Sequence, residues 1–270
     1  MTTLRRIKSC SGFTLIELIT VIVLVGILAA MGGAFISRPV EGYVALSRRV
    51  ELVDSAEGAL RRMQRDIREA LPNSVRISGG GKTLELLHTS DGGRYRAQGP
   101  GDILDFSNPA DTGFDILGTL NASPAAGSWL VIYNLSDQAA TGNAYLANAD
   151  NRFAVDVGAS TVNYLQYLPK APPAAFPLPS PYQRFFLVDT PVSYVCDLGA
   201  NTLTRYDGYV ISPAPVLGGG DLVARNVTGC DFSYQAGTSQ RAGLVTLKLT
   251  IEEDSEKVQL LQQVHVVNSP

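Results

Sequence analysis

The chain has 270 residues, with 22 lysine and arginine residues, 25 aspartate and glutamate residues, and a formal net charge of −3 at pH 7. This length predicts one domain of ordinary size in addition to any anchor. The acidic balance gives no general attraction for nucleic acid, so nucleic-acid binding is not expected as the main function.

The N-terminal region combines a basic leader with a long apolar segment. Arg5, Arg6 and Lys8 precede Phe13–Ile36, in which Glu17 is the one charged residue. At 1.5 Å per residue this segment would be ~36 Å long, enough to cross a bilayer with some tilt. It predicts a transmembrane helix over residues 13–37, with the basic N-terminus in the cytoplasm and the head in the periplasm.

Glu17 is the unusual feature of this segment, because an unpaired charge inside a membrane helix is costly and is functional by default. An ordinary secretory signal has a shorter apolar core and a small-residue cleavage site beyond it. A simple membrane anchor would explain the apolar run but neither Glu17 nor Gly12. A buried soluble helix would not need the basic leader.

The run Gly12-Phe13-Thr14-Leu15-Ile16-Glu17 resembles the signal of type IV prepilins and pseudopilins. The resemblance implies that prepilin peptidase cleaves after Gly12, removing leader residues 1–12, and that Phe13 is N-methylated. It also implies that Glu17 pairs with the N-terminal amine of a neighbouring subunit. Removing three of 22 cationic residues would leave 19 against 25 acidic ones, and a net charge of −6.

Residues 38–72 predict a second helical segment, amphipathic and ended by Pro72, with a kink or short break at Pro39. Apolar residues spaced by threes and fours form a stripe suited to packing on a sheet, with a coiled coil as the alternative. The stripe consists of Leu46, Val50, Val53, Ala56, Leu60, Met63, Ile67 and Ala70. Three i,i+4 ion pairs are expected, namely Glu57–Arg61, Arg62–Asp66 and Arg65–Glu69.

Residues 73–270 predict a β-rich head, because short apolar runs alternate with turn residues. The predicted strands are Thr83–Leu87, Trp129–Tyr133, Arg184–Val188, Val192–Cys196, Thr202–Tyr206, Tyr209–Ile211, Cys230–Tyr234, Leu244–Ile251 and Val258–Val267. The last two are expected to form a hairpin. We interpret residues 91–128 and 134–163 as loops or insertions decorating the sheet, and the proline-rich residues 169–181 as an extended loop.

The cysteines predict one disulfide. Cys10 lies in the leader, which leaves Cys196 and Cys230 as an even pair in a mature periplasmic protein. In that oxidising compartment they should form a bond that closes a loop of about 34 residues, worth ~4 kcal/mol in the chain-entropy model.

No motif predicts catalysis. The glycine-rich turn at residues 79–83 lacks the spacing and the preceding strand of a phosphate-binding loop, so a hairpin turn is favoured. Neither His88 nor His265 belongs to a catalytic constellation. Oxygen-bearing side chains could be considered for calcium, but they match no EF-hand spacing, and solvated loops are favoured. They are Asp111, Asp115, Asn148, Asp150, Asn151 and Asp156. We expect no enzyme activity, cofactor or metal site.

Further resemblance narrows the family to the J-type minor pilins and pseudopilins, with the minor pilins of MSHA pilus biogenesis looking most similar. It is carried by the helix end Leu60–Pro72, the hairpin Val192–Val195 with Leu203–Tyr206, the cysteine pair and the ending Val264–Pro270. The implied fold is α+β, a long N-terminal helix packed on an antiparallel sheet.

The resemblance implies a minor pilin that primes and caps a type IV pilus, first in a Gram-negative inner membrane and then at the pilus tip. The expected partners are other minor pilins, the major pilin, prepilin peptidase and the inner-membrane assembly platform. The alternatives are a J-type pseudopilin of type II secretion, a tip adhesin or ligand-binding module, and, least favoured, an anchored enzyme.

Overall fold

The computed structural model describes residues 12–237 and 242–266, with the side chains of residues 32–38 left out. Arg5, Arg6, Lys8 and Cys10 therefore lie outside the described residues, as do residues 267–270 of the C-terminal ending. The chain divides into two compact units, Met1–Glu51 and Leu52–Pro270, and each is considered by itself.

The helix α1 spans Leu15–Arg68 and contains Pro39. Of the kink or short break predicted at Pro39, the break is absent, because a proline removes only one intrahelical hydrogen bond and the backbone stays helical on both sides. The kink stays a prediction. The helix also ends three residues before the predicted Leu71. There the backbone N–H of Leu71 bonds to the carbonyl of Leu87, so the chain has already joined the sheet.

Twelve strands follow within the described residues. They are β1 Arg76–Ser78, β2 Thr83–Arg94, β3 Gly113–Asp115, β4 Trp129–Ile132, β5 Arg152–Ala154, β6 Tyr164–Gln166, β7 Arg184–Asp197, β8 Thr202–Asp207, β9 Asp221–Arg225, β10 Val227–Gln235, β11 Gly243–Glu253 and β12 Glu256–Val266. A seven-stranded sheet has the order β1-β2-β7-β4-β5, with β8 and β9 continuing from β7. β10-β11-β12 form a second sheet and β3-β6 a third. All these pairs are antiparallel.

The α+β prediction is confirmed, with the helix packed on antiparallel sheets. The hairpins β7-β8 and β11-β12 also occur as expected, and residues 79–82 form the turn between β1 and β2. The predicted strand Tyr209–Ile211 does not form. Ile211 is instead buried in a cluster with Val131 and Tyr145. Its apolar side chain therefore indicates a buried residue and not a strand.

The helix stripe packs only in its second half. Ala56, Leu60, Met63, Ile67 and Ala70 are buried in the main core, as predicted, against residues of β2, β7, β10, β11 and β12. The pattern was wrong for two residues near its start, because Leu46 is 61% exposed and Val50 is 52% exposed.

Two of the three predicted helical ion pairs are replaced by other contacts. Glu57 and Arg61 pair at 2.6 Å as expected. Arg62 instead contacts Asp221 at 3.3 Å. The other carboxylates, Asp66 and Glu69, contact Arg205 and His88. The tertiary partners are part of the sheet surface, which helical spacing alone does not reveal.

Residues 91–128 and 134–163 were interpreted as loops or insertions, and they are insertions with short strands of their own. They contribute the end of β2, all of β3 and β5, and much of a second core. Phe176, from the proline-rich loop, lies with its ring centroid 4.4 Å from that of Phe153 and 5.4 Å from that of Tyr167. Six of the fourteen buried residues of this core are aromatic, and those from the short segments leave no periodic signal in the sequence.

Candidate functional site

The predicted processing site lies immediately before α1. Gly12, Phe13 and Thr14 precede the helix, and all three are exposed. Phe13 is 83% exposed, and a Cβ added at Gly12 would meet no atom within 4 Å. A peptide bond in an exposed non-helical stretch is accessible to a peptidase, so the geometry is compatible with cleavage between Gly12 and Phe13.

The N-terminus of α1 is capped by a side chain, which was not predicted from the sequence. The backbone N–H of Glu17 donates to Oγ1 of Thr14 at 3.3 Å, and the N–H of Leu18 donates to the carbonyl of Thr14 at 3.2 Å. Thr14 is therefore the N-cap. Thr-x-x-Glu is the signature of a capping box, which could have been recognised from the sequence. Glu17 also stands where the helix dipole favours a negative charge.

Glu17 is flanked in sequence by apolar residues whose side chains are exposed. Each side of it is lined by Leu15, Ile16, Leu18 and Ile19, which are 46–78% exposed. Cleavage after Gly12 would place a new ammonium at Phe13, close in sequence to this carboxylate. Opposite charges attract far more strongly in apolar surroundings than in water. Pairing across subunits remains a prediction.

The membrane span predicted for residues 13–37 also remains a prediction. Within the part of the chain that the structure describes, no helix is both long and apolar enough to cross a membrane.

A buried polar network fixes the second half of α1 to the sheet. Nε of Arg205 donates to Oδ2 of Asp66 at 2.7 Å, and the hydroxyl of Tyr194 donates to the same oxygen at 2.9 Å. Asp207 provides a second carboxylate for Arg205. Burial raises the pKa of the Tyr194 hydroxyl, and the nearby Asp66 carboxylate raises it further. The network is suited to positioning the helix, because it joins α1 to β7 and β8 through buried polar contacts.

A second network joins β1 and β2 to the segment that follows β8. Arg76 pairs with Glu85 at 2.7 Å, and the hydroxyl of Tyr209 donates to Glu85 at 3.1 Å. Burial raises the pKa of Glu85, whereas the Arg76 guanidinium opposes that rise. The guanidinium also lies 3.8 Å above the ring of Tyr145. Each charged group has its partner, which indicates a structural role.

The candidate calcium ligands lie in a loop that the protein holds with its own cations. Arg152 donates to the carbonyl of Ala144 at 2.6 Å and to that of Leu146 at 3.3 Å. Lys170 donates to the carbonyl of Ala149, and burial lowers the pKa of Lys170 to about 8. These contacts already engage three loop carbonyls that a calcium ion could use.

Three of the candidate aspartates serve the backbone of their own loops, whereas the buried side-chain amide of Asn151 has no hydrogen-bond partner among the described residues. Asp150 accepts from the N–H of Gly142, Asp156 from that of Gly158, and Asp111 from those of Asp105 and Gly113. Asp115 pairs with Arg96 at 3.3 Å. Across residues 12–237 and 242–266, no group of three or more histidine, cysteine, aspartate or glutamate residues could hold a metal ion.

The predicted disulfide is present. Cys196, near the end of β7, is bonded to Cys230 in β10, with the Cα atoms 6.4 Å apart. The bond links the seven-stranded sheet to the three-stranded sheet, and both cysteines belong to the main core.

Comparison with known families identifies the N-terminal segment. The family model described as the prokaryotic N-terminal methylation motif matches residues 7–33, which include Gly12, Phe13 and Glu17. No curated protein and no solved structure matches the chain. The motif supports a type IV pilin-like or pseudopilin-like protein, a structural subunit rather than an enzyme. It also indicates membrane insertion, a pilus location, and assembly with other pilins after processing by prepilin peptidase.

Proposed function

We propose that the protein is a minor pilin that primes assembly of a type IV pilus and caps its tip. The observation that carries the proposal is the methylation motif over residues 7–33, joined to a helix whose second half packs on a β-rich head. Prepilin peptidase cleaves after Gly12 and Phe13 is methylated. Glu17 then pairs with the N-terminal ammonium of an adjacent subunit as the fibre assembles.

The finer assignment is to an MSHA-type pilus, with the chain corresponding to the biogenesis protein MshO. It is supported by the resemblance of the J-type helix end and by the β7-β8 and β11-β12 hairpins, together with the Cys196–Cys230 bond. The decorated middle region, with its own aromatic core, favours a tip subunit over a plain fibre repeat. The subunit begins in the inner membrane of a Gram-negative cell, with its head in the periplasm.

The second candidate is a J-type pseudopilin of type II secretion, because the methylation motif is common to both classes. Deleting the gene and measuring both surface pili and secretion of an exoprotein separates the two. Loss of pili with normal secretion is the expected result. Lost secretion with normal pili would identify the pseudopilin. Normal fibres with lost attachment would indicate a tip adhesin.

Processing is tested separately with Gly12→Val. The valine side chain does not clash with the rest of the unbound protein, since nothing lies within 4 Å of a Cβ at position 12. Any block therefore reflects the peptidase rather than misfolding. We expect an uncut precursor that mass spectrometry identifies by its retained leader. A normal mature N-terminus would contradict the assignment of the cleavage site.

A further inference from the structure

Strand β12 forms one edge of the sheet β10-β11-β12, and no strand among the described residues pairs with its other side. It is 11 residues long and stays in regular register with β11, from Glu253↔Glu256 to Gly243↔Val266. A long, regular edge presents a row of backbone donors and acceptors and is a template for pairing with another strand.

The turn of the β11-β12 hairpin shows which backbone groups of β12 lie on this free edge. Asp254 and Ser255 form a two-residue turn, and both have positive φ. In such a hairpin the flanking pair, Glu253 and Glu256, exchanges hydrogen bonds, and bonded and non-bonded pairs then alternate along the ladder. The odd-numbered residues of β12 therefore direct their N–H and C=O groups away from β11. They are Lys257, Gln259, Leu261, Gln263 and His265.

The free edge of β12 lacks the features that usually block such pairing, namely charges, prolines, bulges or short length. Residues 258–266 contain no lysine, arginine, aspartate, glutamate, proline or glycine. The other sheet edges among the described residues are protected. β1, β3, β5 and β6 have 3 residues each, and β9 carries Asp221 and Arg225 at its ends. β10 is interrupted by a bulge and bonds to the carbonyl of Gly81 through the N–H of Phe232.

A groove of about 420 Å³ lies between β12 and the flank of α1. Its apolar lining includes Val53 and Leu60 of the helix and Leu260 of β12. Glu57 and Arg61 also line it and pair with each other at 2.6 Å, so this helix flank carries no net charge. A strand added about 4.8 Å from β12 would direct alternate side chains into this groove.

We propose that the free edge of β12 pairs antiparallel with β12 of a second copy of the chain, about a two-fold axis at Leu261. In this register Leu261 faces the partner's Leu261, and Gln259 faces the partner's Gln263. Lys257 faces the partner's His265 at the two ends. On the inner face, the partner's Leu260 lies beside Gln262 and enters the groove.

The occupant is a second copy because the edge is complementary to itself. A two-fold contact uses the same surface on both partners, so this surface must tolerate its own chemistry. Here an apolar side chain meets an apolar one at the axis, and amides that both donate and accept meet on each side of it. The helix flank with its internal Glu57–Arg61 pair has no net charge that would repel an identical flank. The inference goes beyond the proposed function and does not depend on assembly into a fibre.

The first test is sedimentation of the full-length chain in detergent across a dilution series, in which we expect a dimer. Leu261→Lys keeps the backbone N–H but sets two ammonium groups face to face at the axis. It should raise the dissociation constant of the dimer about tenfold or more. The side chain of Leu261 is 63% exposed, so the head should fold normally, as circular dichroism would show. Leu222→Lys is the matched control, an exposed leucine on the edge strand β9 that should leave the dimer intact.

Cysteine cross-linking tests the register in a Cys10→Ser background, in which the leader cysteine cannot react. Leu261→Cys should form a disulfide-linked dimer on oxidation, because directly bonded partners have Cα atoms about 5.5 Å apart, within disulfide range. Gln259→Cys alone should not, since the two copies of residue 259 would lie about 13 Å apart along the strands. A mixture of Gln259→Cys and Gln263→Cys should cross-link.

Three results would overturn the inference. A wild-type chain that stays monomeric throughout the dilution series would mean that another occupant, or none, uses the edge. A dimer that Leu261→Lys and Leu222→Lys leave equally intact would place the contact elsewhere. A disulfide formed by Gln259→Cys alone, without one at position 261, would exclude the two-fold axis at Leu261.

Discussion

The imidazole Nε2 of His88 lies 3.2 Å from Oε2 of Glu69, one residue beyond the end of α1. The other ring nitrogen, Nδ1, lies 2.7 Å from Oδ1 of Asp189 in β7. An ionised carboxylate only accepts hydrogen bonds, so both nitrogens donate only when the ring is protonated. The imidazolium of His88 therefore links the end of the helix to two strands of the sheet.

This link predicts that the head loses stability as pH rises. The hydrogen bond to Asp189 raises the pKa of His88 above its usual 6.5, although burial opposes the rise. A raised pKa in the folded state means that the stabilisation is complete below about pH 6.5 and is lost as pH rises through the folded-state pKa. We expect a lower melting temperature at pH 8.5 than at pH 5.5.

The matching variant is His88→Gln, which should cost about 1–2 kcal/mol at pH 5.5 and less at pH 8.5. Asp189 does not reverse this trend, because its pKa is lowered and its contribution is lost only under acid conditions. His265→Gln, an exposed histidine in β12, is the control. Equal destabilisation of His88→Gln at both pH values would contradict the protonated link.

The Asp66–Arg205 pair predicts that a substitution of Asp66 strongly lowers the free energy of unfolding. The helical spacing alone would have suggested that Asp66 is exposed. Both side chains are 12% exposed, and removing one member of a buried pair leaves the other uncompensated. Asp66→Asn should destabilise the head by about 2–4 kcal/mol, below the largest such losses because Asp207 still pairs with Arg205. Urea denaturation measures the loss.

Asp54→Asn is the control on the same helix, because Asp54 is exposed. It should change the free energy of unfolding by less than about 0.5 kcal/mol. Tyr194→Phe removes the hydroxyl that donates to the Asp66 carboxylate, and it should cost about 1.5–3 kcal/mol because that hydrogen bond has a charged acceptor. If Asp66→Asn proves no more costly than Asp54→Asn, the buried pair does not position the helix.

The Cys196–Cys230 bond predicts sensitivity of the head to reductant. The bond closes a loop with a sequence separation of 34, and its loss should cost about 2–4 kcal/mol. A lower melting temperature in dithiothreitol is the expected result. The double variant Cys196→Ala/Cys230→Ala should melt at one temperature with or without the reductant. No shift for the wild-type chain would mean that the bond does not contribute to stability.

How far the sequence predicted this fold depended on the length of each repeating pattern. Buried residues alternate with less buried ones along the first seven residues of β11 and along β12, so the two strands and their hairpin were readable from the sequence. The three residues of β5 offer no such repeat, and Phe153 finds its neighbours in the loop around Phe176. Likewise, the spacing of Arg62 and Asp66 predicted a helical pair, because the competing partners Asp221 and Arg205 are more than a hundred residues away.

The N-terminal site was predicted from its motif, but a local role for Glu17 was missed. Glu17 lies at the third helical position after the N-cap Thr14. Its carboxylate could thus act within its own helix, through the capping box and the dipole, as well as between subunits. These two roles make different demands on the side chain, which allows them to be separated.

Glu17→Gln separates the two roles, because glutamine serves in a capping box but carries no charge. We expect this variant to be processed and stable but excluded from pili, as measured by immunoblotting of sheared fibres and of whole cells. Thr14→Val is the converse test, because it removes the cap oxygen and retains Glu17. It should lower the stability of the helix by about 1 kcal/mol. It should still enter pili. Normal incorporation of Glu17→Gln together with failure of Thr14→Val would assign Glu17 to helix capping and remove the charge pairing from the assembly mechanism.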